Sequence, residues 1–523
     1  MLARVLTASL TGLSARPIVV EVDLARGLPA YHLVGLPDGA VRESRERIMA
    51  ALVNSGFEPP LRRITVNLAP AGEPKTGTGF DLPIALAILT AAGALVPAAG
   101  RRPVAALGEL GLDGRVRPVR GTLPVAAAMR SAGAREILVA RESAREAALV
   151  EGLRSVAVET VRDAVLHLSG TAPIGPTAPP ERRPDDGGSG WSEIRGQAMA
   201  RRALEIAAAG GHNVLLVGPP GAGKTFLARR FPSILPRLNP AQALEVTAIH
   251  SAWGSLSPSH PLIHVPPFRA PHHSISAAAL LGGGSPLRPG EVTLAHRGVL
   301  FMDETPEFRR DALEGLRQPL EEGDITVGRA QARHRFPARF VFLAAMNPCP
   351  CGYRQDPLKE CRCLPGALAR YEARLSGPLL DRIDMVVPVR AIPFAELVSE
   401  SPGESASAVR ARVAAARRGQ ERRDGVLNAE LDGRSIGRPC ALGPEGRRLL
   451  ETAHERMGLS ARGHVRVLRV ARTIADLAGE GRVATSHLAE ALQYRTSDRA
   501  SRALETSGVG PAASGGTERG RPI

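Results

Sequence analysis

Residues 218–225 read Gly218, Pro219, Pro220, Gly221, Ala222, Gly223, Lys224, Thr225, which is G-x-x-x-x-G-K-[ST] throughout. These residue types at this spacing make a phosphate cradle. The glycines let backbone N–H groups turn inward around an anion. Lys224 brings a compact positive charge to the β- and γ-phosphates, and Thr225 offers a hydroxyl to Mg2+. A helix beginning at the cradle adds the positive end of its dipole. Lys is scarce in this chain, so the match is not a by-product of composition.

A nucleoside triphosphate site needs a second half, a buried strand ending in carboxylates. The run 298–304 (GVLFMDE) has that pattern. Its apolar residues put Asp303 at the carboxyl edge of a parallel sheet, where it would hold Mg2+. Glu304 beside it would polarise an attacking water. A third apolar run, 340–345 (FVFLAA), leads into Met346, Asn347 and Pro348. Asn347 either orients water near the γ-phosphate or only starts an Asn-Pro turn. Farther on, Arg382 follows the apolar turn in 377–384 (GPLLDRID). It either enters a neighbouring subunit's site as an arginine finger or pairs with Asp381 or Asp384 on the surface.

Only a sheet brings such groups together. The runs 213–217, 298–304 and 340–345 are strand-like and alternate with helical segments such as 226–231, so the fold class is α/β. A chain of 523 residues exceeds one core, and roughly 150 residues per domain suggests three. Segments 170–190 and 501–523 have the Pro, Gly and charge content of a linker and a disordered tail. The divisions are then 1–169, the linker 170–190, a core over 191–390, a helix-like and Arg-rich part over 391–500, and the tail. The first part is α+β. It has strands near 31–35, 63–68, 104–108 and 137–140. Its helices lie over 38–55, with Val41, Ile48 and Leu52 on one side, and over 81–90.

Hydrophobic residues make up 44% of the chain and charged ones 23%, while aromatics at 3% leave the cores to Ala, Val, Leu and Ile. The net charge of +15 suits a polyanionic partner, although a GC-rich genome also enriches Arg. Five Cys exclude a disulfide framework in so long a chain. The uncharged stretch 82–100 contains Pro83, Gly93 and Pro97 and reads as a buried helix with a loop, not a membrane span. The N-terminus runs into a strand at 17–22 rather than a signal peptide. A cytoplasmic protein without membrane contact is expected.

The runs 270–308 (APHHSISAAALLGGGSPLRPGEVTLAHRGVLFMDETPEF), 347–353 (NPCPCGY) and 375–384 (LSGPLLDRID) resemble the magnesium chelatase-like AAA+ ATPases of the YifB and ComM family. The resemblance covers nearly the whole chain. It implies an N-terminal Lon-protease-like domain (ribosomal S5 domain 2-like), a P-loop AAA+ core and a C-terminal helical lid. It makes 218–225 the Walker A loop, Asp303 and Glu304 Walker B, Asn347 sensor 1, and Arg382 a finger acting in trans. The run 459–466 (LSARGHVR) resembles a sensor 2 helix, with Arg462 first choice and Arg466 second. ATP, Mg2+, a ring (a homo-hexamer) and DNA as partner are implied. So is a helicase driving branch migration in recombination or natural transformation. The alternative is a protein-remodelling or chelatase-type regulatory ATPase with a protein partner.

The resemblance has limits. Where a Lon-type protease carries its nucleophilic Ser and its Lys, this chain has Gly79 and Leu123. Covalent catalysis then has no agent, and no peptidase activity is expected. Chelation would need partner subunits carrying porphyrin and metal sites.

Two further groups stand out. Cys349, Cys351, Cys361 and Cys363 form two C-x-C pairs that suit structural Zn2+, two reducible disulfides or free thiols, while Cys440 stands alone. The segment 324–336 reads as a hairpin carrying Arg329, Arg333 and Arg335, which either grips DNA phosphates at a pore or is a solvated tip. His272 and His273 have no third ligand nearby and are placed in a loop or insert near the pore.

Overall fold

The structure is a computed structural model, and it describes residues 2–100, 103–181, 190–284, 287–329, 332–354, 359–392, 403–433 and 435–506. In the N-terminal part, Leu2–Thr11, Ser14–Ala25 and Arg63–Ala69 pair antiparallel, and Ala30–Val34 joins the last of these in parallel. The helix Asp81–Ala92 lies on this sheet with ten of its twelve residues buried, which explains its lack of surface charge. A parallel trio, Ala106–Leu107, Glu136–Ala140 and Arg154–Val158, completes the part. The helix expected over 38–55 breaks at Glu43 into Gly39–Arg42 and Ser44–Asn54, with Val41, Ile48 and Leu52 fully buried.

The stretch read as a linker does not begin free. Ile174 N–H donates to His167 Nδ1 at 2.9 Å and Thr177 N–H to the Ser155 carbonyl at 2.8 Å. Residues 182–189 of it lie outside the described residues.

The central sheet is all parallel, in the order Phe268–Arg269, Val299–Met302, Val341–Met346, Val214–Val217, Met385–Pro388. Both faces are covered, so its strands are apolar runs without alternation. On one face the strands share a continuous core with the helices Ala198–Gly210, Ala406–Asp424, Pro444–Met457, Ala461–Leu477 and Thr485–Thr506. The C-terminal helices are therefore built into the sheet's own core. On the other face Leu300, Met302, Phe342 and Ala344 pack with Phe308, Leu313 and Phe336. The hairpin Asp324–Arg329 and Ala332–Pro337 grows from that side. The N-terminal part docks its helix Thr122–Ser131 on Pro240–Trp253.

The last helix runs to Thr506, so 501–506 are helical where a disordered tail was expected, and 507–523 lie outside the described residues. Among the described residues no helix is long and apolar enough to cross a membrane.

Candidate nucleotide site

The strand register builds the site. Val217 lies opposite both Met346 and Pro388, and Met302 lies opposite Ala344. The segments leaving these ends (the loop at Gly218, the Asp303–Glu304 pair and Asn347) therefore emerge side by side at the carboxyl edge, where parallel sheets bind ligands.

In the loop, Gly221 and Gly223 hold φ of +77° and +90°, left-handed values that let the chain curl ahead of the helix Lys224–Arg230. Lys224 is buried, and its Nζ donates to the carbonyls of Gly218 (2.7 Å) and Pro219 (2.9 Å) and to Asn347 Oδ1 (3.0 Å). Burial pushes its pKa below the ordinary value, while the carboxylates of Asp303 and Glu304 oppose that shift. Thr225 Oγ1 donates to Asp303 Oδ2 at 2.5 Å. A hydroxyl and a carboxylate converging beside a phosphate cradle are the hard oxygen ligands that Mg2+ takes, so the donor set fits that ion.

Glu304 sits at φ +49°, a left-handed conformation that costs of order 1 kcal/mol in a residue with a Cβ. Its N–H caps Asp303 Oδ1 at 3.0 Å, and its carboxylate stays 60% exposed, free to reach a water. Glu304 Oε2 lies 3.9 Å from His273 Nδ1, and the rings of His272 and His273 stand 4.1 Å apart. Sequence reasoning gave this His pair no role at the carboxylate. The placement comes from the fold: the strand Phe268–Arg269 pairs with Val299–Met302, so the residues just past it emerge beside Glu304.

Arg382 lies elsewhere. It precedes the strand Met385–Pro388, and Asp384 N–H donates to the Asn213 carbonyl at 3.0 Å, so Arg382 stands at the amino edge. The strand between the two edges spans roughly 13 Å. There a cavity of about 700 Å³ is lined by Arg382, Arg462, Arg466, Arg469, Glu321 and Asp384. Arg382 is ion-paired with Glu321, not with Asp381 or Asp384, and Arg462 reaches the same carboxylate at 3.9 Å. Arg466 is buried 3.7 Å from Asp384, and that burial lowers its pKa to about 10. Among the described residues, Arg382 Nε and Arg466 Nη1 are buried without a hydrogen-bond partner. Arg382 and Arg462 thus cluster together, on the edge away from their own phosphate loop.

The four clustered cysteines have their Sγ atoms within 4.8 Å of one another, a set that could hold a metal ion. In the hairpin, Arg333 is exposed, and Arg335 is ion-paired with Asp324 at the base rather than at the tip. The side chain of Arg329 and residues 330–331 lie outside the described residues. In the N-terminal part, a Cβ on Gly79 would meet Leu107 Cδ1 at 2.7 Å. Leu123 is buried, and Lys75, also buried, donates its Nζ to the Pro70 carbonyl.

Comparison with known proteins finds relatives over most of the chain. Residues 190–397 match the sequence family described as magnesium chelatase, subunit ChlI, residues 20–143 that described as subunit ChlI of Mg-chelatase, and residues 403–495 its C-terminal family. The chain is 42% identical over 500 residues to the uncharacterized protein YifB of Salmonella typhimurium, covering 95% of this chain and 98% of that protein. It is 43% identical to the competence protein ComM of Haemophilus influenzae, over 94% of this chain and 97% of that one. It is 42% identical to YifB of Escherichia coli, over 94% and 97%.

Proposed function

The chain belongs to the magnesium chelatase-like family of YifB and ComM, and on that premise we propose that it is an AAA+ ATPase ring, a homo-hexamer that moves along DNA as a helicase or branch-migration factor in recombination or natural transformation. The observation that carries this reading is the split of the site. Lys224, Thr225, Asp303, Glu304 and Asn347 gather at the carboxyl edge, and Arg382 and Arg462 sit at the amino edge. One chain then offers a cradle on one side and two guanidinium groups on the other, which two copies packed edge to edge would join into one site.

The chemistry is in-line attack of water on the γ-phosphate. Lys224 exchanges its backbone carbonyl acceptors for phosphate oxygens. Thr225 and Asp303 would hold Mg2+, which supplies positive charge against the phosphates when bound. Glu304 aligns the water and accepts its proton. Asn347, held on Lys224, positions the γ-phosphate end. Arg382 of the adjacent copy neutralises charge growing in the transition state, with Arg462 beside it. The basic hairpin, with Arg333 foremost, supports DNA as the partner. We assign Zn2+ to the cysteine cluster. We propose no peptidase activity, since Gly79 and Leu123 supply neither a nucleophile nor its base and Lys75 is engaged elsewhere.

The test is ATP hydrolysis by the purified protein, with and without single-stranded and branched DNA, at two salt concentrations, with Glu304→Gln as the inactive control. Stimulation by DNA that weakens with salt supports the reading. A rate indifferent to DNA sinks the helicase and points to a protein partner.

A further inference from the structure

The cysteines lie where the phosphate loop and Asn347 meet. Cys349 is two residues beyond Asn347. Its Sγ lies 3.3 Å from Cys351 Sγ and 3.7 Å from Cys361 Sγ, and Cys351 and Cys361 are 3.6 Å apart. Cys351 N–H points at Cys363 Sγ at 3.4 Å, which turns the fourth sulfur toward the other three. A tetrahedral tetrathiolate with Zn–S of about 2.3 Å has edges of about 3.8 Å, so one Zn2+ fits with little adjustment. A multi-iron cluster would spread the sulfurs more widely. None of these three separations is a disulfide bond, which needs about 2.05 Å.

The turn that carries the first pair is pressed onto the nucleotide loop. Gly352 closes it, donating its N–H to the Cys349 carbonyl at 2.9 Å, with φ of +85°. A Cβ on Gly352 would lie 2.4 Å from Pro220 Cδ and 2.7 Å from Cγ. The contact is therefore backbone against the Walker A ring, and only glycine permits it. The far side of the segment is tied down as well. Arg354 pairs with Glu372, and the neighbouring Tyr371 hydroxyl donates to the Asn347 carbonyl at 3.2 Å.

We propose that Cys349, Cys351, Cys361 and Cys363 bind one Zn2+ whose task is to hold the Gly352 turn against Pro220, so that metal occupancy sets the affinity of the phosphate loop for nucleotide. The second half rests on reading 218–225 as the nucleotide loop, while the metal site stands on the thiols alone. Four thiols confined within 4.8 Å repel one another once ionised, and the ion relieves that repulsion and stiffens the turn. Loss of the ion frees the turn and with it the lip of the cradle.

The experiment measures two quantities on the full chain: zinc per chain by elemental analysis, and the Kd for a fluorescent ATP analogue. Wild type carries one zinc, released when a mercurial blocks the thiols, and Co2+ in its place gives the absorption of a tetrahedral thiolate complex. Cys361→Ser loses the zinc and binds the analogue about tenfold more weakly. Gly352→Ala keeps the zinc, which reports that the knuckle still folds, yet weakens the analogue to a similar degree. Iron, or no stoichiometric metal, overturns the zinc site. Zinc in the wild type but wild-type nucleotide affinity in both variants overturns the brace. Failure of wild type itself to bind the analogue sinks the reading of the phosphate loop and leaves the zinc count to be judged separately.

Discussion

Asn347 Oδ1 accepts a hydrogen bond from Lys224 Nζ at 3.0 Å, and the same ammonium is held by the carbonyls of Gly218 and Pro219. The loop thus closes on its own lysine. Three neutral acceptors satisfy a cation whose burial already lowers its pKa, and a phosphate must displace them. The displacement is favourable because the ammonium then pairs with a full negative charge instead of neutral carbonyl dipoles. Lys224→Ala should lose both analogue binding and hydrolysis, the latter by about 100-fold or more. Asn347→Ala leaves the lysine its backbone acceptors, so KM should move little and kcat should fall by about 10- to 100-fold. Steady-state kinetics on the two variants reads the split. An equal rise in KM for both would make Asn347 a ground-state binder.

Arg382 and the phosphate loop stand at opposite edges of one sheet, so neither can complete the other within a chain. Lys224→Ala and Arg382→Ala should each be inactive alone, Arg382→Ala by about 10³-fold. Mixed in equal amounts and reassembled, they should regain a measurable fraction of wild-type turnover. Some interfaces in a mixed ring then pair an intact loop with an intact arginine. Mixed rings shown by cross-linking to form, yet without recovery, would remove Arg382 from the neighbour's site.

The loop and its strands were legible because a parallel strand covered on both faces is an unbroken apolar run, and the chemistry sits at its end. The amino edge was not legible. Arg382 meets Glu321 across 61 residues with no periodicity to announce it, and Arg466, read as a sensor candidate, proves buried against Asp384. The sharing of one core by the sheet and the C-terminal helices was equally hidden. Amphipathic helices declare that they have an apolar face but not what covers it. The tail boundary was missed for a local reason: Arg502, Ala503, Leu504 and Glu505 are good helix formers that continue the helix begun at Thr485.

The hairpin arginines should differ. Arg333 faces Gly328 near the tip and is exposed, whereas Arg335, facing Thr326, is already neutralised by Asp324. If the hairpin grips single-stranded DNA, Arg333→Ala should lower the slope of log K against log salt by about 0.7. Arg335→Ala should change it less, because that guanidinium must first leave its carboxylate. Binding isotherms at several salt concentrations measure both slopes. Equal slopes for wild type and Arg333→Ala would take the tip off the DNA.

The N-terminal part is fastened to the ATPase part by a buried carboxylate. Glu146 Oε1 accepts from Leu123 N–H at 2.7 Å and from Ser251 Oγ at 2.5 Å, and Ser251 belongs to the helix Pro240–Trp253. Burial raises the Glu146 pKa against the pull of these two donors. A carboxyl whose folded pKa lies above its unfolded value is penalised for ionising. Its penalty is absent below the ordinary carboxyl value of 4.5 and grows as pH rises toward the folded pKa. Glu146→Gln keeps the accepting oxygen and removes the charge. It should raise Tm near neutral pH by about 2 °C, with the gain shrinking as pH falls toward 4.5. Glu146→Ala instead leaves the Leu123 N–H only the longer contact to Ser251 Oγ at 3.4 Å and should cost about 1–3 kcal/mol. Scanning calorimetry of both variants across that range checks the sign: a Gln variant less stable than wild type at neutral pH would mean that the charge strengthens the joint more than its burial weakens it.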